Sequence, residues 1–161
     1  MGFLDRLWGR QSDPTKHWPP PDGSLPELVP EEKRFGPLRF GDPLISARTL
    51  GKPHRTSLIA KGHTALFYKA GFRIEFGKKG FCYLALILAD PDGEAEVSIS
   101  PEAQPQIGCQ TRAAIENRFG TPHKVDANEE ETILVYHLNG CRMEFELRPS
   151  GSLNRWNLSP V

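Results

Sequence analysis

Gly71-Phe72-Arg73-Ile74-Glu75-Phe76 matches Gly140-Cys141-Arg142-Met143-Glu144-Phe145 across an offset of 69 residues. Leu50-Gly51-Lys52-Pro53-His54-Arg55 matches Phe119-Gly120-Thr121-Pro122-His123-Lys124 across the same offset. One spacing thus explains two separate matches, and a fixed internal period speaks to architecture more directly than local propensity does. The period implies a small unit used twice. In 72–76 the apolar set is Phe72, Ile74 and Phe76, with Arg73 and Glu75 on the other face. In 141–147 it is Cys141, Met143, Phe145 and Leu147, with Arg142, Glu144 and Glu146 opposite. This period-2 alternation marks half-buried antiparallel strands.

The first copy reads as residues 38–105. Phe40-Gly41-Asp42-Pro43 resembles a helix start, with Asp42 as the cap and Pro43 in the first turn. Gly51 closes that helix and Pro53 prevents its continuation. Strands are predicted at about 56–60, 64–69, 72–77, 81–89 and 94–99, with Ala70-Gly71, Lys78-Lys79-Gly80 and Asp90-Pro91-Asp92-Gly93 as turns. The second copy reads as 106–161. Thr111 caps a helix that ends at Gly120, and strands follow at about 123–127, 132–138, 141–147 and 152–158. The fold class expected is α+β: two tandem modules, each a helix packed on an antiparallel sheet.

Residues 1–37 precede the modules. Phe3, Leu4, Leu7 and Trp8 share a stripe of a short amphipathic helix over 1–10. It is expected to dock on the body or to anchor at a membrane surface or partner. Residues 11–37, with Pro19-Pro20-Pro21, read as a linker of polyproline II character.

Ile107-Gly108-Cys109-Gln110-Thr111-Arg112, an apolar helix, and then Phe119-Gly120-Thr121-Pro122 resemble the opening of the SmpA/OmlA-type module. The Tyr136 and Phe145 strands resemble its later strands. Two such modules in tandem are similar to the β-lactamase inhibitor protein family. The resemblance implies paired sheets with a concave protein-binding face. The chain departs from the family in lacking a lipoprotein signal and a cysteine pair in each module.

Composition narrows the function. The 161 residues carry 20 Lys plus Arg and 20 Asp plus Glu, so there is no overall basic footprint for nucleic acid. From 36 to 88 there are nine basic residues against two acidic, and from 89 to 161 six against twelve. That split reads either as complementarity between packed halves or as a bipolar surface that steers a partner. No apolar run is long enough to span a bilayer and no secretory signal is evident, so a cytoplasmic protein without stable membrane association is expected. Cys82, Cys109 and Cys141 lack metal-ligand or disulfide spacing and read as reduced, buried thiols. His17, His54, His63, His123 and His137 are scattered, and no nucleotide or nucleophile motif appears. No enzyme activity, cofactor or metal is expected.

Strand 81–89 breaks the alternation. By simple parity Phe81, Tyr83, Ala85 and Ile87 continue the core face, while Cys82, Leu84, Leu86 and Leu88 fall on the open face. Such a strand needs cover on both sides. The candidates are the N-terminal segment, a second copy of the chain, or another protein. The expected function is a protein-binding module, of bacterial inhibitor or immunity type, using Arg73, Glu75, Leu84, Leu86, Arg142, Glu144 and Arg155 for contacts. The alternatives are a homo-oligomeric structural protein, and a small-ligand binder with a pocket beside His54 or His123.

Overall fold

A computed structural model describes residues 13–90 and 92–161. The helix expected over 1–10 lies outside the described residues. Alternating apolar and polar positions produce two antiparallel sheets. Strands β1 (Leu28–Val29), β2 (Arg34–Phe35) and β3 (Leu38–Arg39) form a small three-stranded sheet. The large sheet has eight strands: β4 (Arg55–Ile59), β5 (His63–Tyr68), β6 (Phe72–Gly77), β7 (Gly80–Ile87), β8 (Lys124–Ala127), β9 (Thr132–Leu138), β10 (Cys141–Leu147) and β11 (Leu153–Pro160). Their spatial order is β4-β5-β6-β7-β11-β10-β9-β8. Strands β4, β5 and β6 begin at 55, 63 and 72, and β8, β9 and β10 at 124, 132 and 141, each 69 residues on.

This architecture corrects the expected fold class and the family resemblance. The chain is mostly β, with one continuous sheet, and not two helix-on-sheet modules of the SmpA/OmlA or β-lactamase inhibitor type. Two physical causes account for the difference. The segment after Pro43 forms only a seven-residue 3-10 helix, Leu44–Leu50. Asp42 is not its cap; its Oδ2 accepts from the Arg39 amide at 2.8 Å. The one α-helix among the described residues, α1 (Arg112–Phe119), has eight residues. It is capped by Thr111 Oγ1, which accepts from the Ala114 amide at 3.3 Å. Elements this short gain little from helical hydrogen bonding and depend on packing. The second cause is β7, which pairs with β11 and so merges the halves (Leu84↔Leu158, Leu86↔Trp156).

The sheet has a core face and a second face. On the core face one cluster runs through both halves and includes Leu66, Ile74, Leu84, Leu86, Phe145, Trp156 and Leu158. The three-stranded sheet covers the first half through Phe35 on Phe72, ring centroids 4.9 Å apart. Phe119 of α1 covers the second through Phe145 at 5.6 Å. The stretch read as a linker is packed rather than free, because Trp18 and Phe35 are buried. On the second face, residues 94–99 do not form a strand. Ala95 and Val97 pack on Ala65, Phe67, Ala85 and Ile87, while Ile99 joins the core-face cluster.

A β-bulge decides which side of β7 is which. Glu75 pairs with Tyr83 but Phe76 pairs with Phe81, so Cys82 is the extra residue. Parity reverses at that point. Leu84 and Leu86 therefore face the core, at 0% and 2% exposure, and are not surface contacts. Tyr83, Ala85 and Ile87 face the other way. Ala95 and Val97 supply apolar cover on that side, while Trp18, Leu25 and Leu28 of the N-terminal segment pack on the cluster that holds Leu84 and Leu86. A matching bulge occurs in β11, where Glu146 pairs with Arg155 but Leu147 with Leu153.

Burial separates the leucines that simple parity confuses. Leu84→Ala is expected to cost about 2–5 kcal/mol in urea unfolding, as for a fully buried leucine. Leu58→Ala, at a site 42% exposed, is expected to change stability by less than about 1 kcal/mol.

Candidate functional site

The Gly-x-Pro-His stretch after each helical segment builds the first site. Gly51 and Gly120 both terminate a helix with positive φ, 81° and 78°. Each carbonyl accepts a tyrosine hydroxyl at 3.0 Å, Tyr68 on Gly51 and Tyr136 on Gly120. The surroundings of the two glycines differ. Around Gly120 there is open space, whereas a Cβ on Gly51 would lie 2.5 Å from Pro21 Cα. The Pro-rich segment is therefore pressed onto Gly51, and the Lys52 amide donates to Pro19 O at 2.6 Å.

Between that segment and the first half lies a cavity of about 590 Å³. Its apolar wall includes Pro20, Pro26, Pro37, Leu50, Pro53 and Phe72. Lys52, His54 and Lys69 also line it, and all three are exposed. Asp22 is the one carboxylate in the lining. Its Oδ1 accepts from the amide and the hydroxyl of Ser24 at 2.8 and 2.7 Å. The backbone bond first, and then the hydroxyl, hold the Asp22 carboxyl below its usual pKa. The cavity is thus apolar inside and carries a surplus of cationic groups at its surface.

The second face of the sheet carries a different arrangement. Arg73 pairs with Glu75, and Glu75 is only 7% exposed. The Tyr83 hydroxyl donates to Asn157 Oδ1 at 2.9 Å, and Asn157 Nδ2 donates to Glu146 Oε1 at 2.7 Å. Arg155 Nε stands 4.0 Å from the other Glu146 oxygen. Burial pushes the Tyr83 hydroxyl up to about 12. Burial also raises the Glu146 carboxyl, against the opposing effects of Arg155 and the Asn157 bond. Of the residues singled out from sequence, Arg73, Glu75 and Arg155 belong to this half-buried band. Arg142 and Glu144 lie beyond it, joined to each other by a 2.7 Å bond from Arg142 Nε. Tyr83 was not foreseen on this face, because the bulge at Cys82 brings it there.

The histidines divide. His54 lines the cavity. His123 and His137 stack with centroids 4.8 Å apart. His63 Nδ1 lies 3.7 Å from Glu75 Oε2 and 3.8 Å from Cys82 Sγ. Burial raises the Cys82 thiol and so disfavours the thiolate a nucleophile requires. Cys109 and Cys141 are buried and are raised by the same cause. Among the described residues no group of three metal-ligating side chains converges, and no helix is long and apolar enough to cross a membrane.

No protein-family model and no curated protein matches this chain. Among solved structures, a DUF4309 family protein (YjgB) from Bacillus subtilis is similar at 16% identity, over 76% of this chain and 73% of that one, with a TM-score of 0.43.

The two glycines make a matched pair. Gly51→Ala and Gly120→Ala carry the same φ strain, but only the first meets the Pro-rich segment. Gly51→Ala is expected to expose Trp18 and red-shift its emission, and Gly120→Ala to leave that emission unchanged. Glu146 gives a pH signature. Its raised folded pKa means that its stabilising contribution is complete below the unfolded carboxylate value and is lost as pH rises through the folded one. Glu146→Gln is therefore expected to gain stability relative to the parent protein as pH rises above the unfolded carboxylate value, as read by urea midpoints at acid and neutral pH.

Proposed function

We propose that the protein is a non-enzymatic binding protein whose Pro-walled cavity takes a small anion with an apolar body. The observation that carries this reading is the cavity beside Gly51. Its volume of about 590 Å³ falls in the range of small-molecule sites, roughly 300–1,000 Å³. Lys52, His54 and Lys69 supply attraction for a negative group, and the prolines with Phe72 supply apolar contact. The wall is stiff, because proline fixes its own φ and little freedom remains to be lost on binding. The absence of an activated nucleophile in the reading rests on Cys82, whose thiol is raised rather than lowered.

A second reading keeps the protein-binding function of inhibitor or immunity type, or a homodimer, on the sheet face of the second half. What favours it is the uneven cover: Ala95 and Val97 lie over the first half, while Arg142 stays half exposed on β10 between β9 and β11. Light scattering separates a homodimer from a monomer that binds another protein. Arg142→Ala and Glu144→Ala would weaken binding to an isolated partner.

The cavity is tested with 1-anilinonaphthalene-8-sulfonate, an anion with an apolar ring system. One equivalent is expected to bind the folded protein with enhanced fluorescence. Lys52→Ala combined with Lys69→Ala is expected to weaken it about tenfold, equivalent to about 1.4 kcal/mol. The same double change should leave the uncharged N-phenyl-1-naphthylamine within about twofold. Equal binding of both dyes by all variants would refute a cation-lined site.

A further inference from the structure

The segment that covers the first half of the second face is acidic, and the chain beneath it is basic. Residues 36–88 carry nine basic groups against two acidic, whereas 89–99 bring Asp90, Asp92, Glu94 and Glu96 with no Lys or Arg. Along Glu94-Ala95-Glu96-Val97 burial alternates: Ala95 and Val97 are each 5% exposed, while both glutamates face solvent. The apolar pair rests on Ala65, Phe67, Ala85 and Ile87. Beside them the Arg55 guanidinium lies over the Phe67 ring at 3.9 Å. Its Nη2 donates to Glu94 O at 3.1 Å, and its Nε stands 3.9 Å from Glu96 Oε2. Arg73 also lies near Phe67 but is paired with Glu75, so Arg55 is the cation that the segment meets. The surface thus accepts an acidic stretch with small apolar side chains at alternate positions.

The segment's own hold on this surface is weak. Among the described residues no backbone hydrogen bond joins 94–97 to a strand. The Ala95 and Glu96 amides donate instead to Asp90 Oδ2 of the same loop, at 3.1 and 2.8 Å. Glu96 takes φ 58°, in the left-handed region that a residue with Cβ disfavours. The Arg55 and Glu96 side chains are partly exposed, where an ion pair contributes little. The firm anchor comes later in the chain. Ile99 donates its amide to Ile87 O at 2.7 Å and packs against the backbone of Gly71.

We propose that this surface docks an extended acidic segment of another protein, and that residues 94–97 are an internal competitor for it. The incoming segment would set small apolar side chains where Ala95 and Val97 lie and a carboxylate beside Arg55. It would need no residue at positive φ. The internal segment has the advantage of being tethered, which gives it a high effective concentration. The strain at Glu96 and the missing backbone bonds reduce that advantage. The measured affinity is then the intrinsic one lowered by the fraction of molecules in which 94–97 has lifted. The surface shares no residue with the Pro-walled cavity, nor with Arg142 and Glu144.

The probe is a fluorescein-labelled peptide with the sequence of residues 92–98, added to the full chain and read by fluorescence anisotropy. Val97→Ser loosens the internal segment and is expected to tighten peptide binding about fivefold. Asp90→Ala frees the Ala95 and Glu96 amides without altering the surface and is expected to act in the same direction, so the test survives if Val97→Ser fails to fold. Added to the loosened variant, Arg55→Ala is expected to weaken binding about threefold. A peptide with both glutamates replaced by glutamine is expected to bind about threefold less tightly. A purely structural cover predicts no gain in peptide binding by either loosened variant, and that result overturns the proposal. Equal binding of the acidic and glutamine peptides overturns it as well. So does dimerisation of the loosened variants in light scattering, which would make a second copy of the chain the occupant.

Discussion

The antiparallel pairing of β7 with β11 holds the rest of the structure in place. Neither four-strand half covers its own apolar face fully. The pairing aligns Leu84 with Leu158 and Leu86 with Trp156, so one apolar surface extends across eight strands. Burial in a common cluster stabilises both halves at once, since the apolar area removed from water is the dominant favourable contribution. The join also leaves β4 and β8 as the edges of the eight-stranded sheet. Lys124 and Asp126 sit on β8, and such charges discourage pairing with another chain.

The bulges at Cys82 and Asn154 make this pairing compatible with a buried core. Each inserts one residue near the start of the last strand of its half, and each reverses the alternation there. Without the reversal in β7, Leu84 and Leu86 would face outward and the junction would lose its apolar contact. The same reversal brings Tyr83 to the second face, where its hydroxyl meets Asn157 across the junction. One backbone irregularity thus sets both the core and the polar band above it.

Cover of the core face comes from segments with little regular structure. The Pro-rich segment contributes Trp18, and the small sheet contributes Phe35 and Leu38. Irregular cover leaves gaps that a long helix would close, and the Pro-walled cavity lies under these segments. Gly51 permits the close approach of the Pro-rich segment. Its missing side chain lets Pro20 and Pro21 pack against the backbone, and its positive φ suits a residue without Cβ.

By itself the sequence determined the local pieces. Period-2 alternation placed β6, β9 and β10 at 72–77, 132–138 and 141–147, because side chains on a strand point alternately to its two faces. Gly51, Gly120 and Thr111 marked helix ends, because positive φ and capping depend on one residue and its near neighbours. His54 was legible as a residue to examine, and Lys52 and Lys69 as part of a basic stretch. Tertiary structure alone decided the rest. A bulge is a property of two strands in register, so Cys82 carried no sign of it and the parity of Leu84 and Leu86 was misread. The length of a helical segment did not reveal that its sheet would merge with another, since that depends on which edges meet. The cavity arises where residues distant in sequence fail to fill a common space.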